Sequence, residues 1–350
     1  MLKSLTLAAS LTLALSGAAF AEETPKADTP AEFVCTGQNL MEEIARTQPE
    51  LADEIDKAAA EVPYGKGLLW KVTKGDAKPS YIFGTMHMSD PRLLELPEKA
   101  EAAFTESTTL ALEITEILDP SKMAGQAMMM MQYTAYLDGS TLDSRMKPDD
   151  IAMVTERLRE AAGLPWSVAA KLKPWTVMGA IALPGCELAR KRAGKPFLDM
   201  DLGNRAKADG KRIEGLESLE GQLKAMSSLP EDMMIKALVD TAKMGERIDD
   251  LFETMLVLYT EGEIAKIWTM LTKLEQANAF ADADVEASTE SSYTQFQVAI
   301  VDNRNVGMAE RSAELATEGG AFIAMGALHL PGEKGVLKLL EDKGFTVERP

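Results

Sequence analysis

The chain contains two histidines, and each closes the same short pattern. Gly84-Thr85-Met86-His87 ends the apolar run that begins at Ser80, and Gly326-Ala327-Leu328-His329 ends the run that begins at Ala321. At ordinary glycine usage, both histidines would stand three residues after a glycine by chance in about 0.5% of cases. A third polar group, Glu113, sits at the carboxyl end of the β-branched and apolar run Thr108–Ile114, where a carboxylate is unusual. If the three runs are neighbouring strands, His87, Glu113 and His329 converge at one sheet edge, the edge where open α/β sheets place their sites. Two imidazoles and a carboxylate make an open metal site with a position left for water, and a metal there lowers the water's pKa and polarises a carbonyl. The metal-free version has one histidine as general base and the other, with Arg304, as oxyanion or substrate stabiliser. No serine sits at a strand-to-helix elbow, which weakens a nucleophilic triad. Two buried histidines that are merely hydrogen-bonded form the alternative without chemistry, and their duplicated setting argues against it.

The elements that must position these groups follow from local pattern. Leu68–Thr73 and Ser80–Gly84, separated by the turn-rich Lys74–Pro79, predict a β-hairpin. Gly84 is expected to permit positive φ and a close turn, so that His87 points back over the strand end; Gly326 repeats it. A helix opens at Leu96-Pro97-Glu98 with Pro97 in its first turn, and with the strand that carries Glu113 it suggests a β-α-β unit. Upstream, Gln38–Glu61 reads as two short helices interrupted at Pro49. Asp119–Pro196 shows no strand pattern. Its helices, Met123–Leu137, Asp149–Ala162 and Trp166–Leu183, are expected to form an inserted cap, with Met128–Met131 as adaptable core or a lid over an apolar groove, not a copper site. Phe197–Gly210 predicts a helix with Asp199 and Asp201 as first-turn acids that suit its dipole. Lys211–Gly215 is a short strand ahead of Glu217, which reads equally as a site carboxylate or a helix cap. Helical spacing continues over Glu231–Ala279, broken near Gly262. It returns over Tyr293–Ala316, where Asp302-Asn303-Arg304-Asn305 could point a guanidinium and an amide inward. Strand Ala321–Gly326, a Pro331-led helix to Asp342 and strand Phe345–Glu348 close the chain.

Composition bounds the rest. Residues 1–21 read as a signal peptide, with Lys3, the apolar Leu5–Leu15 and a cut after Ala21 in Ala19-Phe20-Ala21. A polar leader, 22–34, follows, and Glu32 argues against a lipid anchor at Cys35. The expected setting is periplasmic or secreted, with no membrane insertion after cleavage. The 37 Lys and Arg oppose 55 Asp and Glu, and an acidic surface of that kind repels nucleic acid and anionic lipid. A chain that is 46% apolar has ample material for a core. Cys35 and Cys186 read as a structural disulfide in an oxidising compartment; no histidine lies near either in sequence, which disfavours a catalytic thiol, and their distance apart excludes a zinc knuckle. Residues 35–350 are expected to form a single domain with a helical insert around 119–196.

The ordered set of motifs resembles the TraB/PrgY/GumN family, related to the animal Tiki proteins, and most closely its secreted bacterial GumN branch. The resemblance rests on Leu69-Trp70-Lys71-Val72, Phe83-Gly84-Thr85-Met86-His87, Leu112-Glu113-Ile114, Leu198-Asp199, Gly215-Leu216-Glu217, Asn303-Arg304-Asn305 and Gly326-Ala327-Leu328-His329. It implies an α/β (α+β) fold with a central mixed sheet flanked by helices, shared with erythromycin-esterase-like and haem-binding ChaN-like proteins. It also implies a peptidase dependent on a divalent metal (Mn, Co, Zn or Fe). Carried onto this chain, His87, Glu113 and His329 become the metal and catalytic centre, with Arg304, Asn305 and Glu217 in support. The expected partner is a peptide or small-molecule substrate, and no oligomeric state is implied. The alternative is a non-catalytic protein that binds haem or another small ligand in the same cleft.

Overall fold

The computed structural model describes residues 33–277 and 292–350. The expected signal peptide, the leader up to Ala31-Glu32 and the end of the helical stretch at Ala279 lie outside the described residues. The centre is a mixed sheet of β1 (Leu69–Thr73), β2 (Ser80–Thr85), β3 (Thr109–Leu112), β4 (Arg212–Gly215), β5 (Ala321–Gly326) and β6 (Thr346–Glu348), ordered β4-β3-β5-β2-β1-β6. The four strands from β4 to β2 run parallel. β1 is antiparallel to both β2 and β6, so the expected hairpin forms and the fold is mixed α/β.

Burial follows from strand composition. β2, β3 and β5 are apolar almost throughout and buried on both faces, as parallel strands between helical layers require. Val72, Ile82, Ala111 and Ile323 face helices Asn303–Glu318 and Val336–Asp342. Their neighbours Phe83, Leu110, Leu112 and Phe322 face helices Glu98–Glu106 and Leu198–Ala208. β4, at one edge, carries Arg212 and Glu214, which pair with Glu318 and Arg311; charges on an edge strand discourage pairing with another chain. A second helical body, Leu40–Thr47, Pro49–Ala60, Arg247–Thr260 and Ile264–Gln276, packs against the loops that leave β2 and β5 through Met88 and Ala327.

Segment 119–196 is helical and shares its apolar contacts with later helices. Leu142, Val154, Leu158, Val177 and Ile181 pack on Leu238 and Ala242 of Glu231–Met244. Met129 and Met130 turn inward against Ile114, Leu219 and Leu223, whereas Met128 and Met131 are exposed. Several boundaries differ from expectation. The helix expected over Trp166–Leu183 is interrupted, and Pro174–Ile181 begins after Lys173, whose extended backbone is what a following proline demands. Met123–Leu137 divides into Pro120–Gly125 and Ala127–Thr134. The helix expected from Pro331 begins only at Val336, because Gly332 adopts φ +95° and ends right-handed winding there. Cys35 and Cys186 form the expected disulfide, tying the N-terminal arm to helix Gly185–Arg192. Among the described residues no helix is long and apolar enough to cross a membrane.

The two motif glycines are not where the chain takes positive φ, which corrects the conformational role expected of them. Gly84 is required for space: a Cβ there would lie 2.8 Å from Leu330 Cδ1 and 2.9 Å from Ala327 Cβ, in the turn of the second motif. Overpacking of this kind costs about 1–3 kcal/mol, whereas an exposed glycine inside a helix costs about 1 kcal/mol relative to alanine. In urea unfolding, Gly84→Ala should therefore destabilise the protein, and Gly307→Ala, with nothing near its Cβ, should stabilise it.

Candidate active site

Strand order brings the site together. Gly84 and Thr85 lie beside Met325 and Gly326 on adjacent parallel strands, so both Gly-x-x-His turns leave the same edge side by side. β3 flanks β5 and delivers Glu113 to that edge. β4 flanks β3, with Leu112 opposite Gly215, and delivers Glu217 next in line.

Glu113 is the hub. Its Oε1 accepts the Gly326 N–H at 2.7 Å, and its Oε2 accepts Arg304 Nη2 at 2.6 Å and Gln222 Nε2 at 2.9 Å. His87 Nε2 lies 3.6 Å and His329 Nε2 3.9 Å from the same Oε1. Gly326 leaves room at the edge: a Cβ would stand 3.1 Å from Glu113 Oε1 and 3.9 Å from His87 Nε2. A side chain there would intrude on the space the three groups face.

The outer nitrogen of each imidazole is held. His329 Nδ1 lies 2.6 Å from Asn305 Oδ1, and the Asn305 amide is oriented by Nδ2 donating to Lys334 O. Nδ1 is therefore the protonated nitrogen and Nε2 keeps its lone pair toward Glu113. His87 Nδ1 lies 2.9 Å from Asp199 Oδ2, and the other Asp199 oxygen accepts the Thr85 hydroxyl. A donor Nδ1 again leaves Nε2 facing Glu113. Holding one nitrogen so that the other is presented is how proteins prepare histidine as a ligand or base.

The histidines differ in setting. His329 is buried, and burial, with the charges of Arg304 and His87, pushes its pKa down to about 4 against the pull of Glu113. His87 lies at the mouth, with 52% of its side chain exposed, which leaves the imidazole accessible to a ligand. Burial alone would lower its pKa, but the charge and hydrogen bond of Asp199, followed by those of Glu113, outweigh it and raise it well above the ordinary value. Burial likewise favours the neutral form of Glu113, yet the nearby His87 imidazole and the charges of His329 and Arg304 hold its carboxyl far below the usual range.

Arg304 and Glu217 complete the edge. Arg304 Nε bonds both Glu217 oxygens at 3.1 Å, Nη2 bonds Glu217 as well as Glu113, and Nη1 donates to Ile300 O at 2.8 Å. Its donors are thus engaged in gripping carboxylates, which makes it a holding group more than a free oxyanion donor. Ile300 belongs to a π-helical turn, Gln297–Asp302, immediately ahead of Arg304; such turns are frequent at functional sites. Ser218, not Glu217, caps helix Leu219–Ser227, and the Glu217 carboxylate goes to Arg304 instead.

Asp199, assigned to capping from sequence, is instead a buried partner of His87. The signal was its place on the stripe Asp199, Leu202, Gly203, Ala206, a spacing that faces the core. Gln222, which bridges Glu113 and Glu217, was also missed; a polar residue one turn into a helix carries no distinguishing mark.

The edge carries three carboxylates, Glu113 and Glu217 on the Arg304 guanidinium and Asp199 on the His87 ring. The donor set fits a divalent metal in type: His87 Nε2, His329 Nε2 and Glu113 Oε1 would hold it. Among the described residues no group of three or more His, Cys, Asp or Glu side chains stands ready to hold a metal ion.

Comparison with known proteins identifies relatives of the chain. The model of the TraB/PrgY/gumN family matches residues 68–349. Metalloprotease TIKI1 of Danio rerio is 26% identical over 80% of this chain and 62% of its own length. Metalloprotease TIKI homolog of Nematostella vectensis is 23% identical over 80% of this chain and 66% of its own, and Metalloprotease TIKI1 of Homo sapiens is 23% identical over 80% and 61%. The chain spans about three-fifths of the length of these relatives. No solved structure matches it.

Removing the guanidinium should leave Glu113 and Glu217 facing each other without a counter-charge, and breaking a buried pair costs about 3–5 kcal/mol. Arg304→Met should lower unfolding free energy by that order in urea titration, and adding Glu217→Gln to it should recover part of the loss.

Proposed function

Because the chain belongs to the TraB/PrgY/gumN family, we propose that it is a metal-dependent hydrolase that cuts peptide or amide bonds outside the cytoplasm. The observation that carries this reading is the convergence of two imidazole Nε2 atoms on Glu113 Oε1, each ring locked from behind by Asn305 or Asp199. The relatives bear the name metalloprotease. His87, His329 and Glu113 would hold a divalent ion such as Mn, Co, Zn or Fe, and when bound it supplies Lewis acidity and an activated water.

The chain's own groups do the rest. Arg304, Gln222 and the Gly326 N–H fix the Glu113 carboxylate so that one oxygen stays turned toward the imidazoles. Asn305 and Asp199 hold both Nδ1 atoms, so that both Nε2 atoms face Glu113; His87, whose pKa is raised, must give up its Nε2 proton before that nitrogen can take a ligand. His87, exposed at the mouth, is the side from which substrate enters. The inward methionines beside Ile114 give the approach an adaptable apolar wall, and the helices of 119–196 act as its cap. The expected substrate is a peptide or small molecule that approaches from the exposed side of His87. An extracytoplasmic setting is supported by the Cys35–Cys186 disulfide and by the signal-like residues 1–21.

Elemental analysis tests the reading on protein purified without chelator or affinity nickel. Wild type should carry near-stoichiometric divalent metal and cleave members of a peptide library, and chelation should abolish cleavage until metal is restored. His87→Ala and His329→Ala should each lose the metal while keeping the circular-dichroism spectrum of wild type. Equal metal content in wild type and both variants would reject the site, and a haem Soret band lost in both would turn the cleft into a ligand carrier.

A further inference from the structure

One continuous stretch, Cys186–Asp199, touches the His87 loop again and again. After β2 the backbone makes a tight turn around His87, with Met88 N bonded to Met86 O at 2.8 Å. The next amide, Ser89 N, donates to Glu187 Oε1 at 2.7 Å, and the Ser89 hydroxyl donates to Lys195 O. Asp90 pairs with Arg190 at 3.2 Å. Phe197 meets the His87 ring edge-on, 5.7 Å between centroids, and Asp199 takes Nδ1. Ring, following amide and following side chains are all gripped by one strap.

The strap begins at a fixed point. Cys186 is bonded to Cys35. Arg190 joins both sides of that bridge, donating to Phe33 O at 2.6 Å and lying 3.5 Å from Cys35 Sγ, while it also faces Asp90 and Glu187. Glu187 is 1% exposed. A buried carboxylate needs compensation; here Arg190 balances its charge and the Ser89 amide takes its second oxygen.

We propose that Glu187 is a positioning residue for His87: seated next to the Cys35–Cys186 bridge, its carboxylate fixes the Ser89 amide and so sets where the His87 imidazole stands relative to Glu113. The proposal rests on the reading of His87 as a site residue. It assigns the disulfide a local task, that of holding the strap's first turn against the arm Phe33–Gly37. Glu187 touches no substrate-facing atom, so its effect must pass through the loop.

The two histidines make the test clean. In full-length protein labelled with ¹⁵N-histidine, the imidazole signals come from His87 and His329 alone, and His87→Gln assigns them. Glu187→Gln should move the His87 resonances, leave those of His329 in place, and weaken binding of added Mn²⁺ or Zn²⁺ by about tenfold to a hundredfold. Glu187→Asp, which keeps the charge, should recover part of both. A folded Glu187→Gln protein with unchanged His87 resonances and unchanged metal affinity would overturn the proposal. Should that variant fail to fold, amide exchange in wild type decides. Opening the bridge with dithiothreitol under native conditions should speed exchange at Ser89 while Ile82 in β2 stays protected, and an unchanged Ser89 rate would overturn it. The resonances report position without turnover. Shifted His87 signals in Glu187→Gln, with a wild type that cleaves no peptide, would uphold the positioning role and reject the hydrolase, and unshifted signals with a wild type that cleaves would do the reverse.

Discussion

The grip of Arg304 on Glu113 and Glu217 is the constraint around which the edge is built. Two adjacent strands, β3 and β4, each end in a carboxylate, and their parallel register brings the two acids close. Without a cation between them, mutual repulsion would push the two acids apart. With Arg304 in place they stay side by side, and Glu113 has one oxygen held by Arg304 and Gln222 and the other, on the Gly326 N–H, turned toward the imidazoles. Helix Asn303–Glu318 supplies the guanidinium, and its π-helical lead-in supplies the carbonyl that steadies it. Asn305, one residue on, reaches His329 from the same helix. A single helical approach therefore sets both the charge of the hub and the tautomer of one of the rings.

The two imidazoles divide the work. His329 is enclosed, neutral over most of the pH range, and fixed by an amide. His87 is open to water and fixed by a carboxylate. An enclosed ring gives precision and an open ring gives access, and sites that must hold a group and also admit a substrate need both. The flanking elements match this division: His329 sits in a short turn against the sheet, whereas His87 is held by a strap that belongs to the outer helical layer.

Much of this was readable from residue types and spacing. The doubled Gly-x-x-His, the strand-end Glu113 and the hairpin announce themselves because strands alternate or run apolar between turn residues. What could not be read was relation between distant segments. Asp199 looked like a helix-end acid because that role is common and local; its bond to His87 crosses 112 residues. Gly84 looked like a conformational glycine because its neighbour in space, Ala327, is absent from its neighbourhood in sequence. Glu217 stayed ambiguous until the register of β3 and β4 placed it beside Glu113. The helices of 119–196 were legible as helices, but prolines and glycines cut them more finely than apolar periodicity suggested. Local pattern specifies elements, while close approach and charge balance arise only from the way they pack.

The position of β5 bears on how the protein comes into being. It is the fifth strand in the chain and lies between β3 and β2, near the middle of the sheet. A growing chain that has made everything up to Gly320 already possesses β2 and β3, but each presents a bare edge and the two cannot be joined. The last strand of the parallel set must slot between them, bringing His329 with it. Pairings between segments so far apart form slowly, and open strand edges invite association in the meantime. The arrangement also means that no nascent chain can assemble the site early: the edge that carries His87, Glu113 and His329 comes into existence in the same event that seals the sheet.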